Sequence, residues 1–181
     1  MRVYLAGPDV FLPDPHARAA VLKALCARHG LEGVSPLDPF MPQPADWVGL
    51  TEAGRIARQN EAHIASCDAL VANLTPFRGP SADVGTVFEL GFMRALGRPV
   101  FGWSNDAMHY ADRTRAFLGP DGDGMDIESF GLADNLMIEG AITASGGVMI
   151  AEAVPASQRW TALSAYERCL QSLAGLLLPR R

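Results

Sequence analysis

The sequence is short of cysteine, of charge and of any cationic tract. Its three thiols are Cys26, Cys67 and Cys169. They are odd in number, far apart and form no Cys-x-x-Cys pair, which excludes a zinc site and a disulfide framework. A reducing cytoplasm is the compartment expected. Lys and Arg together number 15 against 20 acidic residues, a formal charge of −5. No basic run exceeds Arg180–Arg181. A protein that grips a nucleic-acid polymer displaces counterions with a concentrated positive surface, so no such polymer is an expected partner. Long apolar runs are missing too, and none approaches the ~18 residues that span a bilayer. The run that follows Met1-Arg2 stops at Gly7-Pro8, too soon for a signal peptide. No membrane partner is expected.

What is present is a core. Apolar residues make up 49% of 181 and charged residues 19%, the profile of one globular domain spanning residues 1–181. Short apolar runs at Arg2–Ala6, Val34, Ala69–Asn73, Pro99–Trp103 and Val148–Ile150 predict strands. Between and after them, helical spacing and end signals predict helices over Pro15–His29, Thr51–Ser66, Asp83–Leu96, Asn135–Ala144 and Thr161–Leu177. Ser35–Trp47 carries four prolines and no periodicity, so it reads as a loop. Ser104–Gly131 is rich in Gly and Asp and reads as a lid, an interface arm or partly disordered chain. Strands alternating with helices predict an α/β fold: a doubly wound, mainly parallel five-stranded sheet with helices on both faces, a three-layer sandwich of flavodoxin or Rossmann type. Such sheets bind ligands beyond the carboxyl ends of their strands. Here those ends are Ala6–Pro8, Leu74–Pro76 and Trp103–Asn105.

The first of these ends lacks the Gly-x-Gly-x-x-Gly of a dinucleotide site and the Lys and Ser/Thr of a phosphate loop. Gly7, Pro8 and Phe11 suit a neutral ligand such as a base or sugar, and no Arg or Lys lies between Gly7 and Arg18. Glu89 is the most informative residue. Its neighbours Val87, Phe88, Leu90 and Phe92 are apolar, so its carboxylate lies either on a polar stripe or partly desolvated in a functional role. Gly85 and Gly91 interrupt the same helix, each at a cost of about 1 kcal/mol relative to Ala, as if something approached closely. Asp83 can cap that helix or hold a polar ligand at its mouth. Tyr4, near the end of the first strand, either packs in the core or reaches a ligand with its hydroxyl. Asn60 shares a helix face with Ile56, His63 and Ile64. His63 reads as a satisfied helix residue, Asp68 as a turn anchor, and Asp134-Asn135 as a cap.

Four pieces in order resemble the nucleoside 2-deoxyribosyltransferase family: Val3 to Pro8, Cys67 to Leu74, Asp83 to Gly91 and Asp134 to Ile138. The Asp-Val-Gly-x-x-x-Glu-Leu-Gly piece that begins at Asp83 is the most specific. The resemblance implies transfer of 2-deoxyribose between nucleobases, with no metal and no redox cofactor. It makes Glu89 the nucleophile, Tyr4 the residue that orients it, and Asp83 a contact to the base. It implies a homo-oligomer in which Asn135 and Met137 enter a neighbour's site beside the sugar's 5′-hydroxyl. Deoxynucleosides and free bases are then the partners. Some members carry an Asp where this chain has Asn60, which can hydrogen-bond a base but cannot exchange a proton with it. Two other readings are hydrolysis of nucleoside 5′-monophosphates and a non-catalytic nucleotide-sensing domain. The first would need cationic or hydroxyl-rich phosphate sites.

Overall fold

The computed structural model describes residues 1–39 and 44–177. Five strands build the sheet: β1 (Arg2–Ala6), β2 (Glu32–Val34), β3 (Ala69–Asn73), β4 (Val100–Ser104) and β5 (Met149–Ala151). All neighbours pair in parallel, in the order β2-β1-β3-β4-β5. The helices are α1 (Pro15–Arg28), α2 (Glu52–Ala65), α3 (Val84–Ala95), α4 (Tyr110–Leu118), α5 (Leu136–Ala144) and α6 (Ser164–Leu177). The chain reverses its direction of winding between β1 and β3, and a crevice opens at such a point.

Alternation along the strands sorts the core into two layers. Val3, Leu5, Val71, Phe101 and Trp103 face α1 and α6, where Leu22, Leu25, Tyr166 and Leu170 meet them. Tyr4, Ala6, Leu70, Ala72 and Val100 face the other way, onto Ile64, Leu90, Met93, Ile138 and Ile142 of α2, α3 and α5. Tyr4 is therefore fixed by register on the same side as α3. Gly102 lets that layer close. A Cβ there would meet Leu74 Cδ1 at 2.6 Å and Ile142 Cδ1 and Met149 Sδ at 2.8 Å. All three cysteines are free and buried, two in the first layer and Cys67 in the second.

Most predicted elements fall within a residue or two of their place, with α6 three residues shorter at its start than expected. Residues 104–131 differ more. Part of that stretch forms α4, with Ala111 and Arg113 buried. Arg113 fastens it to two other segments, the loop before α3 at Pro80 and the chain before α5 at Ala133. The loop expected over Ser35–Trp47 contains a short 3-10 turn at Ala45–Trp47, and its residues 40–43 lie outside the described residues. Among the described residues no helix is long and apolar enough to cross a membrane.

Candidate active site

The helix α3 carries the site. Asp83 caps it, accepting hydrogen bonds from the Thr86 amide at 2.9 Å and the Thr86 hydroxyl at 3.0 Å with one carboxylate oxygen. Nearly two turns further on, Glu89 turns inward and is 9% exposed. Its Oε1 accepts a hydrogen bond from the Tyr4 hydroxyl at 2.7 Å and a longer one from Asn60 Nδ2 at 3.3 Å. Residues 85 positions apart in sequence thus meet at the end of β1, with α2 supplying the third.

Burial raises the pKa of Glu89 to about 7, and the nearby Asp83 charge adds to the rise. The hydrogen bonds from Tyr4 and Asn60 act the other way without cancelling it. Desolvation is the larger effect, so the group sits near half-ionisation at pH 7. Tyr4 is held far above its ordinary pKa, by burial first and then by the adjacent Glu89. It remains a hydrogen-bond donor throughout the accessible pH range.

The first turn is less apolar than its residues suggested. Gly7 is required by close approach, since a Cβ there would lie 2.7 Å from Asn73 Cβ. Pro8 is buried at the start of a 3-10 turn that ends at Phe11. Asp9, inside that turn, is buried and accepts from Arg18 Nε at 2.7 Å and Asn73 Nδ2 at 2.8 Å. Arg18 does reach the turn, but Asp9 meets its charge there. Phe11 is exposed and stacks on Phe77 with centroids 5.3 Å apart, while the Arg78 guanidinium lies over both rings. Arg78 holds φ at +56°, an uncommon conformation for a residue with a Cβ.

Sequence reasoning singled out neither Asp9 nor Arg78. The one usable signal was position, since both follow the carboxyl ends of central strands.

The other named residues separate into two places. Asn135 caps α5, its side chain accepting from the Met137 amide at 3.0 Å. Met137 is 72% exposed. Neither hydrogen-bonds to Glu89, Tyr4 or Asp83 among the described residues. Both line an apolar groove of about 1070 Å³ between α3 and α5. Gly91 also lines it, and among the described residues nothing beyond its chain neighbours and its own helix backbone lies within 4 Å of where its Cβ would be. A Cβ on Gly85 would lie 3.1 Å from Asp83 Oδ2. His63 is buried with Nε2 2.9 Å from the Asp38 carbonyl oxygen, and Asp68 accepts from the Arg2 amide at the amino ends of β1 and β3. Among the described residues no group of three or more His, Cys, Asp or Glu side chains could hold a metal ion.

An open parallel sheet with a desolvated carboxylate gripped by a phenol near its strand ends puts a titratable group where α/β sheets bind their ligands. Comparison with known proteins supplies the class. The family model for nucleoside 2-deoxyribosyltransferase matches residues 3–137, and the chain belongs to that family. It is similar to a 2-deoxyribosyltransferase from Leishmania mexicana, 34% identical, with 76% of this chain and 84% of that one covered and a TM-score of 0.61. An uncharacterized protein of Schizosaccharomyces pombe is 33% identical, over 80% of this chain and 78% of that one. A conserved protein of Enterococcus faecalis shares the fold at 19% identity and a TM-score of 0.57, over 96% and 98% of the two chains.

Proposed function

We propose that this chain transfers 2-deoxyribose from one nucleobase to another, with Glu89 as the nucleophile. The observation that carries the reading is the buried Glu89 carboxylate held at 2.7 Å by the Tyr4 hydroxyl. Cleaving an N-glycosidic bond builds positive character at C1′. A carboxylate oxygen then bonds to C1′ as the C1′–N bond breaks, giving a glycosyl ester on Glu89. The departing base takes a proton, from Asp83 or a water that Asp83 positions. A second base attacks C1′ from the face the first one left and returns its ring N–H proton to Asp83 or that water, the ester bond breaks, and Glu89 recovers its charge. Two inversions give net retention. Phe11, Pro8 and Gly7 form a wall for the base, with Asn60 and Gly85 beside it. Ribonucleosides react more slowly, because a 2′-hydroxyl crowds the nucleophile and destabilises the cationic transition state.

Homo-oligomerisation belongs to the same reading. Val84 and Met137 are more than half exposed, and both line the groove, which no described residue fills. A neighbour's α5 seated there would bring Asn135 and Met137 to the sugar. The test is incubation with a deoxynucleoside and a different free base. Exchanged nucleoside in solution, and a deoxyribosyl adduct on the Glu89 peptide after quenching, are the expected results. Release of free sugar alone, even with excess base, would favour a hydrolase. An adduct on another carboxylate would remove Glu89 from the role.

A further inference from the structure

Arg113 is 7% exposed, an unusual depth for a guanidinium. Such a group is tolerated inside only when its N–H donors and its charge are both matched. Its donors go to three backbone carbonyls on three segments. Nε donates to Pro80, in the loop between β3 and α3, at 2.8 Å. The other two nitrogens donate to Met108, before α4, and to Ala133, before α5. Its charge faces Asp134 at 3.8 Å and Asp106 at 4.0 Å. Asp106 is further tied to Arg159, which reaches back to the Pro76 carbonyl.

Asp134 is the other half of this arrangement. Its side chain is wholly buried. It accepts hydrogen bonds from the Ser81 hydroxyl, the Ala82 amide at 2.9 Å and the Asn135 amide at 2.8 Å. Ala82 immediately precedes Asp83, the cap of α3. Asn135 is the cap of α5. One carboxylate therefore sets where both helices start, the one that presents Asp83 and Glu89 and the one that presents Asn135 and Met137.

We propose that Asp134, seated on Arg113, is a positioning residue for base transfer, fixing Asp83 and Asn135 relative to each other. The proposal rests on the deoxyribosyl-transfer reading above. A glycosyl ester on Glu89 has two fates, attack by a base or attack by water. Attack by a base requires that base to be held in line with C1′, and Asp83 is part of its seat. Loosening the start of α3 leaves Glu89 bonded to Tyr4 but widens the geometries the base explores. Water needs no seat, so its share of the product grows.

The ratio of exchanged nucleoside to free deoxyribose reads this out. Misfolded molecules contribute to neither product, so a purely structural defect lowers both together and leaves the ratio unchanged. Asp134→Asn keeps the shape and removes the charge. With a saturating acceptor base it lowers the ratio by about tenfold, the effect of weakening hydrogen bonds to a charged group. Ser81→Ala removes one donor, is expected to fold, and lowers the ratio by a smaller factor of about three. A wild-type chain that yields no exchanged nucleoside overturns the transfer reading and this proposal together. A wild-type chain that exchanges bases, with both variants showing its ratio at reduced total turnover, overturns the positioning role alone.

Discussion

On the proposed mechanism Glu89 must be charged to attack, yet it is buried where charge is disfavoured. Its pKa of about 7 sets a direction for activity. If the ionised form is the nucleophile, as proposed, kcat/KM of the free enzyme should fall tenfold per pH unit below about 7 and level off above it. Tyr4→Phe removes the strongest hydrogen bond to the carboxylate. It should move that midpoint upward and cut the plateau by about ten- to a hundredfold. A pH–rate profile of both proteins checks this, and an unmoved midpoint would argue against Glu89 as the titrating group. The same shift acts on stability, with the opposite sense from an ordinary salt-bridged carboxylate. Between pH 4.5 and 7 the folded state keeps a proton that the unfolded state has released, so stability drops as pH rises through that window. Glu89→Gln does not titrate. Its advantage over the wild type should be absent below about pH 4.5 and reach as much as about 3 kcal/mol above pH 7, measured by urea unfolding at several pH values. The types and order of Tyr4, Asp83 and Glu89 were legible in the sequence. The outcome of the contest between desolvation and hydrogen bonding was not, because it depends on how deeply α3 sinks its second turn.

Among the elements, strands and long helices were legible because their apolar residues repeat at periods of two and of three to four. The helix α4 was not. Its buried positions are held by Ala111 and Arg113, a small residue and a cation, so no apolar stripe marks it. The polar, Gly-rich residues after it concealed it further. The Arg113 clamp was invisible for the same reason, since its partners are mostly backbone carbonyls that no side-chain pattern announces. Packing between β4 and α5 allows a sharper test. Gly102→Ala would place a methyl group 2.6–2.8 Å from the ends of Leu74, Ile142 and Met149. These flexible tips can shift, at a cost of about 1–3 kcal/mol, seen as a lower Tm. Because α5 moves with them, the groove that Met137 lines should change shape as well.

For the molecule as a whole, the groove between α3 and α5 and the exposed Met137 predict a site divided between chains. Glu89→Ala and Asn135→Ala proteins, each inactive alone, should recover part of the activity when mixed under conditions that let subunits exchange. Hybrid assemblies then contain some sites that carry both lesions and some that carry neither. A mixture that stays inactive while exchange is demonstrated would mean that Asn135 serves its own chain or none. The three thiols supply a different kind of readout. Cys26, Cys67 and Cys169 are at most 1% exposed, and burial raises the pKa of Cys67 to about 11 and of Cys169 to about 12. Cys26 is raised too, chiefly by burial. A thiol-reactive dye at pH 8 should leave the native protein unlabelled and modify a chain only when it opens. Cys26 and Cys169 sit between the sheet and the α1/α6 layer, and Cys67 lies beneath α2 on the opposite face. The order in which the three acquire label under mild denaturant therefore records which side of the sheet lets go first, without a single engineered probe.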